Sequence, residues 1–265
     1  MRANVIRQRL AEGRPIINGW LSMASSYGAE GAGHCGFHSV TVDMQHGMIG
    51  FSEAISMLQA ISATPAMPLA RVGQLNGASI MQLLDAGSYG IICPMVSTAE
   101  QAQALVSACR YPPHGERSFG PARGMLYGGA DYVAKANDTV MAIPMIETSE
   151  AVDNIDDILA VPGIDMLYVG PNDLAFSLNG KQGDDGGRTE LAIAKIVSKA
   201  LAANMPLGIF CANANEAEKR LAQGFSLVTP GNDFGTLMRT NKANVSQLLG
   251  DEAPAIKQAS MGGYG

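Results

Sequence analysis

Ala142-Ile143-Pro144-Met145-Ile146-Glu147 and Met166-Leu167-Tyr168-Val169-Gly170-Pro171-Asn172-Asp173 are two apolar runs, each closing near an acid. Between them, residues 149–160 read as a helix. The order strand, helix, strand predicts a β-α-β unit with parallel strands. Glu147 and Asp173 then stand at the same end of neighbouring strands, the end at which α/β barrels carry their chemistry. Two carboxylates converging there suit a hard divalent cation bound through oxygen. Spacing alone equally admits a helix cap and a surface acid.

The same alternation extends in both directions. Strands are predicted at 15–21, 39–43, 66–72, 90–93, 140–146, 166–169, 206–210 and 225–228. Helices are predicted at 2–12, 26–35, 51–62, 77–85, 98–109, 130–136, 149–160, 189–203, 215–222 and 231–249. Residues 111–129, rich in proline and glycine, read as irregular, and 179–187 as a glycine-rich acidic loop. Eight strand–helix units point to a closed (β/α)8 TIM barrel, a single domain over 1–250, with 251–265 a flexible tail. An open doubly wound sheet would want a phosphate-binding fingerprint after the first strand, and Gly19-Trp20-Leu21-Ser22 is not one.

Composition excludes several classes. The net charge is −6 and no basic run appears, which argues against nucleic acid as a partner. Cys35, Cys93, Cys109 and Cys211 are scattered, without a C-x-x-C pair, as expected of reduced thiols in the cytoplasm. The first eight residues lack a signal-peptide core, and no apolar run approaches the ~20 residues of a membrane span.

The strand ends carry the candidate site. They bring Trp20, Asp43, Gln45, His46, Arg71, Glu147, Asp173 and Phe210 to one rim. None of the seven lysines ends a strand, which disfavours a Schiff-base mechanism. No G-x-S-x-G elbow occurs. Each candidate has a plainer reading. His46 could be a loop histidine, Arg71 an ion-pair partner of Asp43 or Asp85, Asp85 a turn cap, and Trp20 and Phe210 core. His34, His38 and His114 read as structural or exposed, and Arg117 and Arg123 as serving loop closure or a subunit contact.

Six stretches in this order resemble the HpcH/HpaI class II pyruvate aldolases of the phosphoenolpyruvate/pyruvate barrel superfamily. They are Val42-Asp43-Met44-Gln45-His46-Gly47, Leu69-Ala70-Arg71-Val72, Leu84-Asp85-Ala86-Gly87, Tyr111-Pro112-Pro113-His114-Gly115, Ile146-Glu147-Thr148 and Gly170-Pro171-Asn172-Asp173-Leu174. The resemblance spans about residues 4–248. It implies that Glu147 and Asp173 bind Mg2+, Mn2+ or Co2+. It implies that His46 is the base, oriented by Asp85 or Asp43, and that Arg71 binds the keto oxygen. It places Trp20 and Phe210 near the aldehyde. Pro171-Asn172-Asp173 reads as the start of a helix, so free N–H groups in the Gly170, Pro171, Asn172 and Asp173 stretch could hold the substrate carboxylate. By the same analogy the assembly is a hexamer with an exchanged C-terminal helix. The reaction implied is reversible cleavage of a 4-hydroxy-2-keto acid to pyruvate, or a close analogue, and an aldehyde. Two positions depart from the family pattern. Gln45 stands where an acid is expected and Met145 where a glutamine is expected, and either could shift substrate preference. The alternatives are a related lyase acting on another 2-keto acid or an acyl-CoA, and a non-catalytic keto-acid-binding barrel.

Overall fold

Eight strands close into a barrel in sequence order, each parallel to both neighbours. They are β1 (Ile16–Leu21), β2 (Ser39–Asp43), β3 (Met67–Arg71), β4 (Gly90–Cys93), β5 (Met141–Ile146), β6 (Leu167–Val169), β7 (Leu207–Cys211) and β8 (Leu227–Pro230). The computed structural model describes residues 1–180 and 186–250. The tail expected at 251–265, part of the acidic loop, Lys181 and Lys257 lie outside the described residues.

Side chains alternate along a strand, so one parity of each strand faces the barrel interior. Ile16 and Trp20 of β1, Met67 and Leu69 of β3, Met141, Ile143 and Met145 of β5, and Tyr168 of β6 form one buried cluster inside the barrel. A second, larger cluster fills the layer between strands and helices. Burying each large apolar side chain contributes roughly 1.5–3 kcal/mol, so both layers drive closure. Helix Val5–Ala11 packs under the barrel, with Ile6 fully buried in the interior cluster. Arg7 of this helix and Arg110, which follows helix Ala99–Cys109, both pair with Asp165.

Sequence parity therefore decides what arrives at the mouth. On β2 the interior positions are Ser39, Thr41 and Asp43, and on β3 the last is Arg71. On β5 they run Met141, Ile143, Met145 and then Glu147, just past the strand end.

Two differences from the predicted elements have physical causes. Residues 111–129 contain a helix, Ala122–Gly128. Gly124 and Gly128 there are packing glycines, because a Cβ on either would press on the Tyr132 ring. The helix expected over 149–160 is two short ones, Ser149–Asp153 and Ile155–Leu159, meeting at Asn154, whose side chain donates to the Ser97 carbonyl. After β6, helix Pro171–Asn179 opens directly on Gly170, so Pro171-Asn172-Asp173 begins a helix as expected.

The plainer readings also find their places. His38 sits at the entry to β2, and its Nδ1 accepts the Ile17 N–H at 3.0 Å. Arg123 donates to the Ala86 carbonyl and to Ser62, closing its loop. All four cysteines are free thiols, and no described helix is long and apolar enough to cross a membrane.

Candidate active site

The C-terminal ends of the strands build one pocket. Trp20, Arg71, Met145, Asp173 and Phe210 line it, with the Gly170-Pro171-Asn172 turn at its edge. Most of the residues selected from sequence are thus brought together, although their ends of the chain are nearly 200 residues apart.

Arg71 and Asp43 form the rigid half. Nε and Nη2 of Arg71 donate to the two Asp43 oxygens at 2.8 and 2.6 Å. The Trp20 indole N–H donates to Asp43 at 3.2 Å, and the Arg71 guanidinium lies 4.9 Å from the Trp20 ring centre. Burial pushes the Asp43 carboxyl up. The Arg71 guanidinium, the Gln45 N–H and the Trp20 N–H outweigh it and hold the carboxyl below its ordinary range. A bidentate, fully buried pair of this kind fixes the guanidinium far better than a surface ion pair.

Asp43 also holds the next loop. It accepts the backbone N–H groups of Gln45 and His46 at 3.0 and 3.3 Å. His46 is exposed at the mouth, so Asp43 fixes the histidine's backbone. The Gln45 Oε1 atom is buried without a hydrogen-bond partner.

Glu147 and Asp173 form the other half. Glu147 is 1% exposed, and its Oε1 accepts the Met95 N–H at 2.7 Å. Its Oε2 is buried with no partner. Gly170 stands opposite, and a Cβ there would collide with that oxygen. Burial pushes the Glu147 carboxyl up to about 7; the Met95 N–H opposes the rise and the nearby Asp173 charge adds to it. An orphaned buried carboxylate oxygen, a second acid beside it and a cradle kept open by glycine fit a divalent cation. Among the described residues no cluster of three or more His, Cys, Asp or Glu could hold a metal ion. Protein ligation would come from these two carboxylates, with water or substrate oxygens completing the shell, as hard cations allow.

That geometry fixes a pH dependence. Without metal, Glu147 carries a proton below about 7, and a cation bound at its free oxygen would have to displace it. Apparent Mn2+ affinity of the metal-free protein should fall as pH drops from 8 to 5.5, approaching tenfold per pH unit on the acid side. Calorimetric titration at several pH values checks this, and a flat profile would contradict it.

Asp85 is not brought to this pocket within the chain. It ends helix Gly77–Asp85, which runs back to the entry end of the barrel before β4 begins. There Arg117 Nη2 donates to it at 2.7 Å, and Arg117 also donates to the Tyr132 hydroxyl. Arg71 pairs with Asp43. Arg117 serves loop closure, stacking 4.4 Å from the Tyr111 ring centre.

Two residues at the mouth escaped sequence reasoning. Tyr168 lines the pocket, 5.7 Å from Trp20 between ring centres. Its hydroxyl donates to Thr229, which also accepts from Asn18, tying three strands together inside the barrel. The signal was parity, since 166, 168 and 170 share one face. Met95, in the turn after β4, is the other. The described lysines contribute nothing here, and Lys135, Lys195 and Lys199 pair with surface acids.

Comparison with known proteins adds a family. A model described as HpcH/HpaI aldolase/citrate lyase matches residues 17–240. A hydroxypyruvate/pyruvate aldolase of Rhizorhabdus wittichii is 44% identical over 250 residues, covering 94% of this chain and 98% of that protein. A 4-hydroxy-2-oxo-heptane-1,7-dioate aldolase of Escherichia coli is 34% identical over 257 residues, covering 96% and 98%. The crystal structure of an HpcH/HpaI aldolase/citrate lyase family protein from Burkholderia cenocepacia superposes with a TM-score of 0.88 at 30% identity, covering 93% of this chain and 99% of that one.

Proposed function

The chain belongs to the HpcH/HpaI aldolase/citrate lyase family, and on that premise we propose a metal-dependent aldolase that reversibly cleaves a 4-hydroxy-2-keto acid to a 2-keto acid and an aldehyde. The carrying observation is the unpartnered Glu147 Oε2, buried against Gly170 and close enough to Asp173 to feel its charge, behind a pocket that Gly170 and Asp173 line together with Arg71. Pyruvate or hydroxypyruvate is the nucleophile we favour, a choice supported by the name of the Rhizorhabdus wittichii relative.

Cleavage of the C3–C4 bond leaves its electron pair on the keto-acid fragment, where it becomes enolate charge. Glu147 and Asp173 would hold a divalent ion (Mg2+, Mn2+ or Co2+), which would supply positive charge to offset that of the enolate. Arg71 binds the keto oxygen, and its clamp on Asp43 keeps the guanidinium in place without reorganisation. The N-terminus of helix Pro171–Asn179 has no side-chain cap, which suits its first-turn N–H groups to the substrate carboxylate. His46 takes the proton of the 4-hydroxyl as the aldehyde carbonyl forms. Trp20, Phe210 and Met145 exclude water from the reacting carbons. With Met145 in place of an amide, recognition of the keto acid falls on Arg71 and the helix terminus.

Helix Asp233–Leu249 supports exchange between subunits in a hexamer. Asp233 ties its start to the Ser22 and Met23 N–H groups, and beyond it Leu237, Val245, Leu248 and Leu249 are exposed. We take residues 1–250 as one catalytic unit acting in the cytoplasm.

Incubating the protein with pyruvate or hydroxypyruvate and a panel of small aldehydes tests the reading. Aldol product from at least one pair is expected, and no product across the panel would favour a binding barrel. His46→Ala should lower turnover by about 10²–10⁴-fold while leaving Mn2+ affinity close to wild type. An unchanged rate would remove His46 as the base.

A further inference from the structure

Residue 95 follows Pro94 in the turn that leaves β4, and its φ is 58°. This left-handed region is disfavoured for a residue with a side chain, because its Cβ crowds the following carbonyl oxygen. After proline in a turn it is the slot ordinarily given to glycine. Met95 holds it although the residue is 52% exposed, so core packing does not offset the cost. Cys93 and Val96 on either side are buried and anchor the turn. What the conformation delivers is the backbone N–H, which donates to Glu147 Oε1 at 2.7 Å. The other Glu147 oxygen is left buried and unpartnered, opposite Gly170.

We propose that Met95 is a positioning residue: its left-handed backbone aims an N–H that takes one oxygen of Glu147 and leaves Oε2 alone to face the cation. The proposal rests on the reading of Glu147 as a metal ligand. A carboxylate held at only one oxygen cannot swing its pair of oxygens about the Cγ–Cδ bond without losing that hydrogen bond, so the free oxygen keeps one orientation. Because the donor is backbone, the identity of the side chain at 95 matters through the φ it tolerates. Glycine and asparagine adopt this region readily, and β-branched residues do not.

The test is Mn2+ titration of the full-length, EDTA-stripped protein, following free Mn2+ by electron paramagnetic resonance. Met95→Gly and Met95→Asn should stay within about threefold of wild-type affinity, whereas Met95→Val and Met95→Ile should bind about 10–100-fold more weakly, the usual loss when a supporting group is removed. Hydrogen exchange gives a readout that does not depend on those variants folding. The residue 95 amide should be protected in the metal-free wild type and lose protection in Glu147→Ala. Wild-type affinity in Met95→Val, an equal loss in Met95→Gly, or an unprotected wild-type amide would each overturn the proposal. Retention of Mn2+ by Glu147→Ala would instead remove the ligand reading. Loss in Glu147→Ala with full binding in Met95→Val would remove the positioning role alone.

Discussion

Glu147→Gln should abolish metal-dependent turnover and at the same time stabilise the metal-free protein at pH 8. Glutamine keeps an oxygen for the Met95 N–H but removes the charge that a cation needs. Turnover should fall by at least about 10²–10³-fold, the scale of losing one electrostatic partner of the developing charge. The stability effect follows from proton linkage. Burial raises the folded-state value of Glu147 to about 7, above its ordinary 4.5. The folded state therefore keeps a proton that the unfolded state has already released. The favourable contribution is complete below about 4.5 and is lost as pH rises through about 7. At pH 8 the ionised carboxylate costs the metal-free fold on the order of 1–3 kcal/mol, which glutamine removes. For a chain of this size that is several degrees in Tm. Thermal melts of EDTA-treated protein should show the variant above wild type at pH 8, with the gap closing at pH 5. A variant that melts lower at both pH values would contradict the assignment of an orphaned, proton-holding carboxylate.

Arg71→Met should cost both stability and catalysis, and the two are separable. It leaves Asp43 ionised, fully buried and deprived of two short hydrogen bonds. Breaking a buried pair from one side typically costs about 3–5 kcal/mol. Neutralising the partner as well, in Arg71→Met with Asp43→Asn, should recover part of the melting temperature, because no unpaired charge remains and Trp20 keeps an acceptor. Turnover should stay low in both, since the positive group that meets the keto oxygen is gone. Recovery of turnover in the double variant would mean that Arg71 acts only through folding.

Much of this arrangement was legible in the chain. Two-residue periodicity across 39–43, 67–71 and 141–147 fixes which side chains face the barrel interior, and the strand ends follow. The repeated units gave the barrel, and the apolar runs gave β5 and β6. What stayed hidden depends on tertiary placement. Asp85 looked adjacent to the site by motif order, yet its helix carries it to the opposite end of the barrel, against Arg117. Tyr168 looked like another core residue, because its hydroxyl partner Thr229 is 61 residues away. The 122–128 helix was masked by glycines that signal turns in sequence but here make room for Tyr132. Met95 was invisible because its contribution is a backbone N–H, set by a φ that methionine rarely adopts.

The most direct test of the metal-dependent reading is aldol formation from pyruvate and glycolaldehyde before and after EDTA, with removal of metal verified by elemental analysis. The expected result is loss of turnover on chelation and its return with Mg2+, Mn2+ or Co2+ in wild type but not in Glu147→Gln. Turnover that persists in verified metal-free protein would contradict it.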